Sequence, residues 1–135
     1  MERTLILVKP DAFARNLTGE IIARFERKRL RLAALRKLTV TRALAERHYA
    51  EHAGKPFYDR LVEFIMSGPL VAIVLEGEQA ITAARQVIGA TDPLLASTGS
   101  IRGDYAVVAS QNLVHGSDSP ESAAREVALF FPDLG

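Results

Sequence analysis

Cysteine is absent from this 135-residue chain, which excludes disulfides, thiolate catalysis and cysteine-ligated zinc together. An excess of charge of one sign is also missing. Lys and Arg number 17 against 16 Asp and Glu, for a formal net charge of +1, so no global basic field points to nucleic acid or an anionic membrane. Long hydrophobic runs are lacking as well. The longest, Leu70 to Leu75, falls far short of the roughly 18 apolar residues that a membrane span requires. Near the start, Leu5-Ile6-Leu7-Val8 is broken at once by Lys9-Pro10-Asp11 and is too short for a signal h-region. A cytoplasmic protein with no membrane partner is the expectation. What is present, 48% hydrophobic and 24% charged residues, suits a soluble globular chain, and the length suits a single domain over residues 1–135.

Leu5 to Val8 is apolar at every position, as a central strand buried on both faces would be. The spacing of Ile21, Ile22 and Phe25 predicts an amphipathic helix from Thr18 to about Lys28. A second strand is expected over Leu32 to Val40. Two short helices are expected over Ala43 to His52 and Phe57 to Met66, parted by Gly54-Lys55-Pro56. Leu70 to Leu75 reads as a third strand, Gln79 to Ile88 as a helix stopped by Gly89, and Ala90 to Gly103 as a long loop of the kind that tends to be functional. Tyr105 to Ala109 is the expected fourth strand. Ser119 as N-cap with Pro120 at the first helical position opens a last helix. No repeat or low-complexity segment interrupts the pattern. The order predicts an α+β fold of the ferredoxin-like (split βαβ) type, a four-stranded antiparallel sheet covered by helices.

The segment Asn112-Leu113-Val114-His115-Gly116-Ser117-Asp118-Ser119 carries the chemistry. A His followed by Gly and a helix N-cap can sit exposed at the end of a sheet. Neutral imidazole is a competent nucleophile near pH 7, since its unperturbed pKa is about 6.5. Such a nucleophile needs an acceptor on its other ring nitrogen, and Glu126, two turns into the following helix, is the candidate. Lys9 at the carboxyl end of a buried strand, Arg85 on its helix and Arg102 in the loop are the cations that could meet phosphate oxygens. A lone arginine of this kind is most often a solvated surface residue.

These residues resemble the nucleoside diphosphate kinase family. The signature around that family's phosphorylated histidine matches Asn112 to Ser119, with Ser122-Ala123 and Glu126 following. Val8-Lys9-Pro10-Asp11, His48-Tyr49-x-Glu51-His52-x-x-Lys55-Pro56-Phe57-Tyr58, Ser67-Gly68-Pro69, Arg85, Gly89-x-Thr91-Asp92-Pro93 and Gly99 to Tyr105 follow the same pattern in order. The resemblance implies γ-phosphoryl transfer from a nucleoside triphosphate to a diphosphate, ribo or deoxyribo, through a phosphohistidine on His115. It implies Lys9 and Arg102 at the transferred phosphate and Arg85 and Thr91 at the next. Asn112, with Lys9, would meet the sugar hydroxyl, Tyr49 would lie beside His115, and Ser117 would help hold Glu126. Phe57 would stack on the base with Leu61 at its edge. Stacking uses a π-face that every base has, so broad base tolerance is expected. The resemblance also implies Mg²⁺ carried by the nucleotide with no dedicated protein cage, and a homo-oligomer, either a hexamer or a tetramer built from dimers. The chain departs from the family pattern at Ala12, Thr98 and Ala109, none of which removes a reacting group.

Three other readings compete. His48-Tyr49-Ala50-Glu51-His52 satisfies the His-x-x-Glu-His pattern of a class of zinc peptidases, whose two histidines share a helix face. Those enzymes need a further distal ligand in a larger chain. Arg24, Arg27, Lys28, Arg29, Arg31, Arg36 and Lys37 form a basic cluster that could serve as a nucleic-acid patch, although it lacks interleaved aromatics beyond Phe25. Nucleic acid is therefore not the expected partner. A ferredoxin-like module that binds nucleotides without turning them over is the third, and the joint presence of His115, Lys9, Arg102 and Glu126 argues against it.

Overall fold

The computed structural model describes residues 1–134. Strand β1 (Glu2–Val8) leads into helix α1 (Pro10–Ala14), then α2 (Thr18–Arg27), β2 (Arg31–Leu38) and α3 (Arg42–His48). After a 3-10 turn over Ala50–His52 come α4 (Tyr58–Ile65), β3 (Leu70–Gly77), α5 (Ala80–Ile88) and α6 (Ile101–Tyr105). A second 3-10 turn over Ala109–Gln111 precedes β4 (Val114–Gly116) and α7 (Pro120–Phe130). The strands form one antiparallel sheet in the order β2-β3-β1-β4, the ferredoxin-like arrangement expected.

Why β1 reads as unbroken hydrophobicity is plain from its register. Ile6 and Val8 face a core built with Phe25 of α2, Ile73 and Leu75 of β3 and Ile88 of α5. Leu5 and Leu7 face the other core, with Val62 and Ile65 of α4, Ala72 of β3 and Phe130 of α7. Each fully buried aliphatic side chain here is worth about 1.5–3 kcal/mol of transfer free energy. The same alternation decides where the chemistry lies. His115 pairs with Leu7 across the β1–β4 ladder, so it points to the Leu5/Leu7 face, where α3 and α7 pack.

Most elements fall close to expectation, and three differences matter. The fourth strand is Val114–Gly116, not Tyr105–Ala109. Val107 and Val108 are 69% and 56% exposed and pair with no strand. The residues before them are helical instead, because the Ser100 hydroxyl accepts the Gly103 N–H and caps α6. A Cβ at Gly103 would stand 2.0 Å from the Ser97 carbonyl oxygen, so the cap closes only around glycine. Second, Pro10 opens α1 at its first position, where a missing N–H costs nothing. Third, the expected helix over Ala43 to His52 ends at His48 and continues as the 3-10 turn. His48 and His52 therefore do not share one α-helical face, and the peptidase pattern loses its geometric basis. Elsewhere the bounds shift by a residue or two. β2, expected from Leu32 to Val40, runs from Arg31 to Leu38 with an irregularity between Leu32 and Ala34.

Candidate functional site

The turn into β4 is built around one strained residue. Leu113 is buried and left-handed, with φ of 75°, a conformation costly for a residue with a Cβ. Two contacts hold it: its N–H donates to the Asp11 carboxylate at 3.1 Å, and its carbonyl accepts the Lys9 N–H at 2.9 Å. Asn112 and His115, on either side, are thereby tied to the end of β1.

His115 keeps 24% of its side chain exposed, facing a cavity of about 290 Å³. Its Nε2 lies 2.7 Å from Glu126 Oε1. The carboxylate of Glu126, itself only 5% exposed, also accepts the Ser117 hydroxyl at 2.8 Å. Burial pushes the Glu126 pKa up, but the hydrogen bonds from His115 and Ser117 and the imidazole charge outweigh it and hold the group below its ordinary value. A carboxylate only accepts, so in the neutral ring Nε2 carries the proton and Nδ1 keeps a free lone pair. Ser117 is fixed in turn, since its oxygen accepts the Leu5 N–H at 3.2 Å. The triad Ser117, Glu126 and His115 thus links the end of β4 to the middle of α7.

Cations ring the same cavity. Lys9 donates to Asn112 Oδ1 at 2.6 Å, and Asn112 Nδ2 donates to the Thr91 carbonyl at 3.2 Å. Burial lowers the Lys9 pKa to about 8, partly offset by Asp11 and reinforced by Arg102. Arg102 is not a solvated arginine: it is 7% exposed and donates to the carbonyls of Asn112, Gly89 and Val114. Burial, then the neighbouring Arg85 charge, brings its pKa down to about 10, so it stays cationic at neutral pH. Arg85 donates to the Gly116 carbonyl at 3.2 Å. Lys9, Arg85, Thr91, Arg102, Asn112 and Tyr49 all line this cavity with His115 and Glu126. Burial raises the Tyr49 pKa to about 12, so its hydroxyl is neutral.

A second cavity, of about 830 Å³, opens beside the first and shares Lys9, Tyr49, Leu61, Thr91 and Asn112 with it. Phe57, 40% exposed, stands on its wall with Phe64, opposite the turn carrying Ala109 to Gln111. Every expected site residue therefore lines one of these two joined cavities, except Ser117, which acts from behind Glu126.

Two residues named in the sequence motifs were given no role at the site. His48, 4% exposed, packs edge-to-face on His115 with ring centroids 4.8 Å apart. Burial, with the His115 charge adding to it, takes the His48 pKa down to about 3, which leaves the ring neutral. Asp118, the residue after Ser117, is exposed on the cavity rim; an acidic residue at that position of the loop was a visible signal. The basic cluster, by contrast, is largely engaged within the chain. Arg24 pairs with Glu20 and Asp104, Arg31 with Glu76, and Arg36 donates to the Phe130 carbonyl.

The model of a family described as "Nucleoside diphosphate kinase" matches residues 2–134. A protein of that name from Frankia alni is 63% identical over 133 residues, covering 98% of this chain and 97% of its own length. One from Mycobacteroides abscessus is 63% identical over 134 residues, covering 98% of each. Among solved structures, a nucleoside diphosphate kinase from Halobacterium salinarum in complex with CDP superposes with a TM-score of 0.95 at 48% identity, covering 98% of this chain and 88% of its own. One from Encephalitozoon cuniculi gives a TM-score of 0.96 at 45% identity, covering 98% and 90%.

Proposed function

The chain belongs to the nucleoside diphosphate kinase family, and from that premise we propose that His115 is the residue on which the migrating phosphoryl group rests between two nucleotides. The observation that carries this reading is the 2.7 Å contact from His115 Nε2 to a buried carboxylate, inside a cavity lined by Lys9, Arg85 and Arg102. With Nε2 bonded to Glu126, the Nδ1 lone pair attacks the γ-phosphorus of a nucleoside triphosphate. An N–P bond forms, the bond from phosphorus to the β,γ-bridging oxygen breaks, and the diphosphate departs. A terminal oxygen of a second diphosphate then attacks the same phosphorus, and the imidazole leaves with its lone pair restored. One site serves both halves, so the kinetics are ping-pong.

Phosphoryl transfer has a loose, highly charged transition state, and catalysis consists mainly of positioning and positive charge. Lys9 and Arg102 meet the transferred phosphate, while Arg85 and Thr91 hold the next one. Asn112 and Lys9 reach the sugar hydroxyl, Tyr49 closes the cavity wall, and Phe57 stacks on the base with Leu61 at its edge. Ser117 acts through Glu126.

The donor set fits Mg²⁺ delivered on the nucleotide rather than a resident ion. Glu126 is committed to His115 and Ser117, Lys9, Arg85 and Arg102 bring positive charge to the lining, and Glu51 and Asp118 are the exposed carboxylates, Asp118 following Ser117 directly in the chain. Asp118 would hold the ion, which supplies charge neutralisation across the phosphate oxygens. The proposal of a homo-oligomer is supported by Leu94, Leu95, Val107 and Val108, each more than half exposed, and by Leu35 on the edge strand β2. Apolar surface and an unpaired strand edge of this kind call for cover.

Mass spectrometry of protein incubated with Mg·ATP and digested at alkaline pH tests the reading. A single added phosphoryl group is expected on His115. Transfer between nucleotides with that histidine never labelled would overturn it.

A further inference from the structure

The zinc-peptidase pattern in the sequence fails as a helix-face pair, but one of its histidines belongs to a different group. His48, His115 and Glu126 each offer a ligand atom, and these atoms lie within 4.8 Å of one another. They come from α3, β4 and α7, and all three side chains line the cavity beside Lys9. His48 Nδ1 is buried and has no hydrogen-bond partner, on a side chain 96% removed from solvent by its 4% exposure. An unsatisfied buried nitrogen is costly unless something pairs with it.

We propose that His48, His115 and Glu126 form a binding site for a borderline-soft divalent ion such as Zn²⁺, which switches the nucleotide-free enzyme off. Two neutral imidazoles and one carboxylate are a His₂Glu donor set, which leaves a fourth tetrahedral position for water from the cavity. Bond lengths of about 2.0–2.2 Å put tetrahedral ligands about 3.3 Å apart. The His115–Glu126 contact opens slightly and His48 moves in by about an ångström or more. His48 ends α3 where the chain passes into the 3-10 turn, so that shift breaks no α-helical segment beyond it. Mg²⁺ does not compete for these atoms, because it prefers oxygen ligands and imidazole suits zinc.

The consequence for His115 follows from its single ring proton. When the ion takes the Nε2 lone pair, the neutral ring must carry its proton on Nδ1, and no lone pair remains there to attack phosphorus. No net proton is released. The ion also takes Glu126 away from its orienting contact. Nearby Lys9, Arg85 and Arg102 repel a dication and limit its affinity, and a nucleotide phosphate in the same cavity would occupy the space beside His115, so the site is open when no nucleotide is bound. Metal binding itself does not depend on the phosphohistidine reading; only the inhibitory consequence rests on it.

The test uses the intact wild-type protein freed of metal by chelation, with zinc chloride alone as probe and no nucleotide. Calorimetry should show one site per chain. Imidazole ¹⁵N resonances of His48 and His115 should move together, while those of His52 stay in place. His48→Gln should weaken zinc binding at least tenfold and remove zinc inhibition of phosphoryl labelling, measured against that variant's own zinc-free rate. His52→Gln should bind zinc as the wild type does. Zinc bound equally well by His48→Gln, or shifts at His52 without shifts at His48, would overturn the proposal. If His48→Gln does not fold, the wild-type resonances still decide. Because binding is read without nucleotide, its failure is separable from a failure of His115 to become phosphorylated.

Discussion

At the phosphate end of the site, polar side chains are held by other groups of the protein: Glu126 by Ser117, Lys9 by Asn112, and Arg102 by three carbonyls. Burial there is deep, with Arg102, Asn112, Ser117 and Glu126 all under 9% exposed. The base end is assembled from Phe57, Leu61 and Phe64 on the α3–α4 hairpin, facing an exposed turn at Ala109 to Gln111. It presents ring and aliphatic surface around a cavity almost three times as large, about 830 against 290 Å³. On the proposed reading, a site made this way spends its order on phosphate geometry, where the transition state differs from the ground state, and leaves the base loosely gripped. On that reading, base tolerance would be a result of where the hydrogen bonds are concentrated.

The comparison breaks most sharply at His115. His115→Ala should reduce nucleotide-to-nucleotide transfer by on the order of 10⁴-fold or more, since neither of the other imidazoles lining the cavity, His48 and His52, is oriented by Glu126 as His115 is. Circular dichroism and the melting temperature should stay near wild type, because the ring is partly exposed. A variant that turns over at a tenth of the normal rate would contradict both the role of His115 and the claim that phosphate-end order is catalytic. Glu126→Ala should cost less, about 10²-fold in kcat, because it orients and does not react. Glu126→Gln should recover part of that loss by keeping an acceptor for Nε2–H. Equal losses for Ala and Gln would mean the negative charge, not the acceptor, is what matters.

How far the sequence foretold this contrast depends on the distance over which each signal acts. Ser119 and Pro120 declare the start of α7 locally, and with Glu126 two turns later the acceptor for His115 is legible within a separation of eleven positions. The unbroken run of β1 announces a strand buried on both faces. β4 escaped because three residues carry almost no periodicity, whereas Tyr105 to Ala109 mimics a strand in composition. α6 escaped because a glycine stands in a five-residue helix, and α1 because Pro10 reads as a breaker until it is seen at the first helical position. His48 was visible in the family motif and as half of a zinc pattern, with no role assigned to it. Its contact with His115 spans 67 positions and depends on α3 packing beside β4, which no local pattern encodes.

Phe57→Ala sharpens the comparison from the other end. Stacking on one base is worth about 1–3 kcal/mol, so KM should rise about tenfold or more for purine nucleotides while kcat changes little. The loss should be of similar size for adenine and guanine nucleotides if the ring reads only the π-face. A change concentrated in kcat, or confined to one base, would mean that the base end is as specifically built as the phosphate end.

The smallest effect is a pH dependence that belongs to the phosphate end alone. Burial holds the Lys9 pKa at about 8 in the free protein, and a bound diphosphate favours the ammonium form. Above pH 8 the free protein must therefore take up a proton to bind, and affinity must fall as pH rises. Between pH 7 and 8.5 the dissociation constant for ADP should increase about fourfold, from the ionised fraction alone. Lys9→Arg keeps its charge throughout this range and should flatten the profile even if its absolute affinity is lower. Phe57→Ala should weaken binding equally at both pH values and leave the slope intact. Isothermal titration calorimetry in two buffers of different ionisation enthalpy would count the proton taken up. A flat wild-type profile would mean that Lys9 is better solvated than its burial implies, and the electrostatic half of the contrast would have to rest on Arg102 and Arg85.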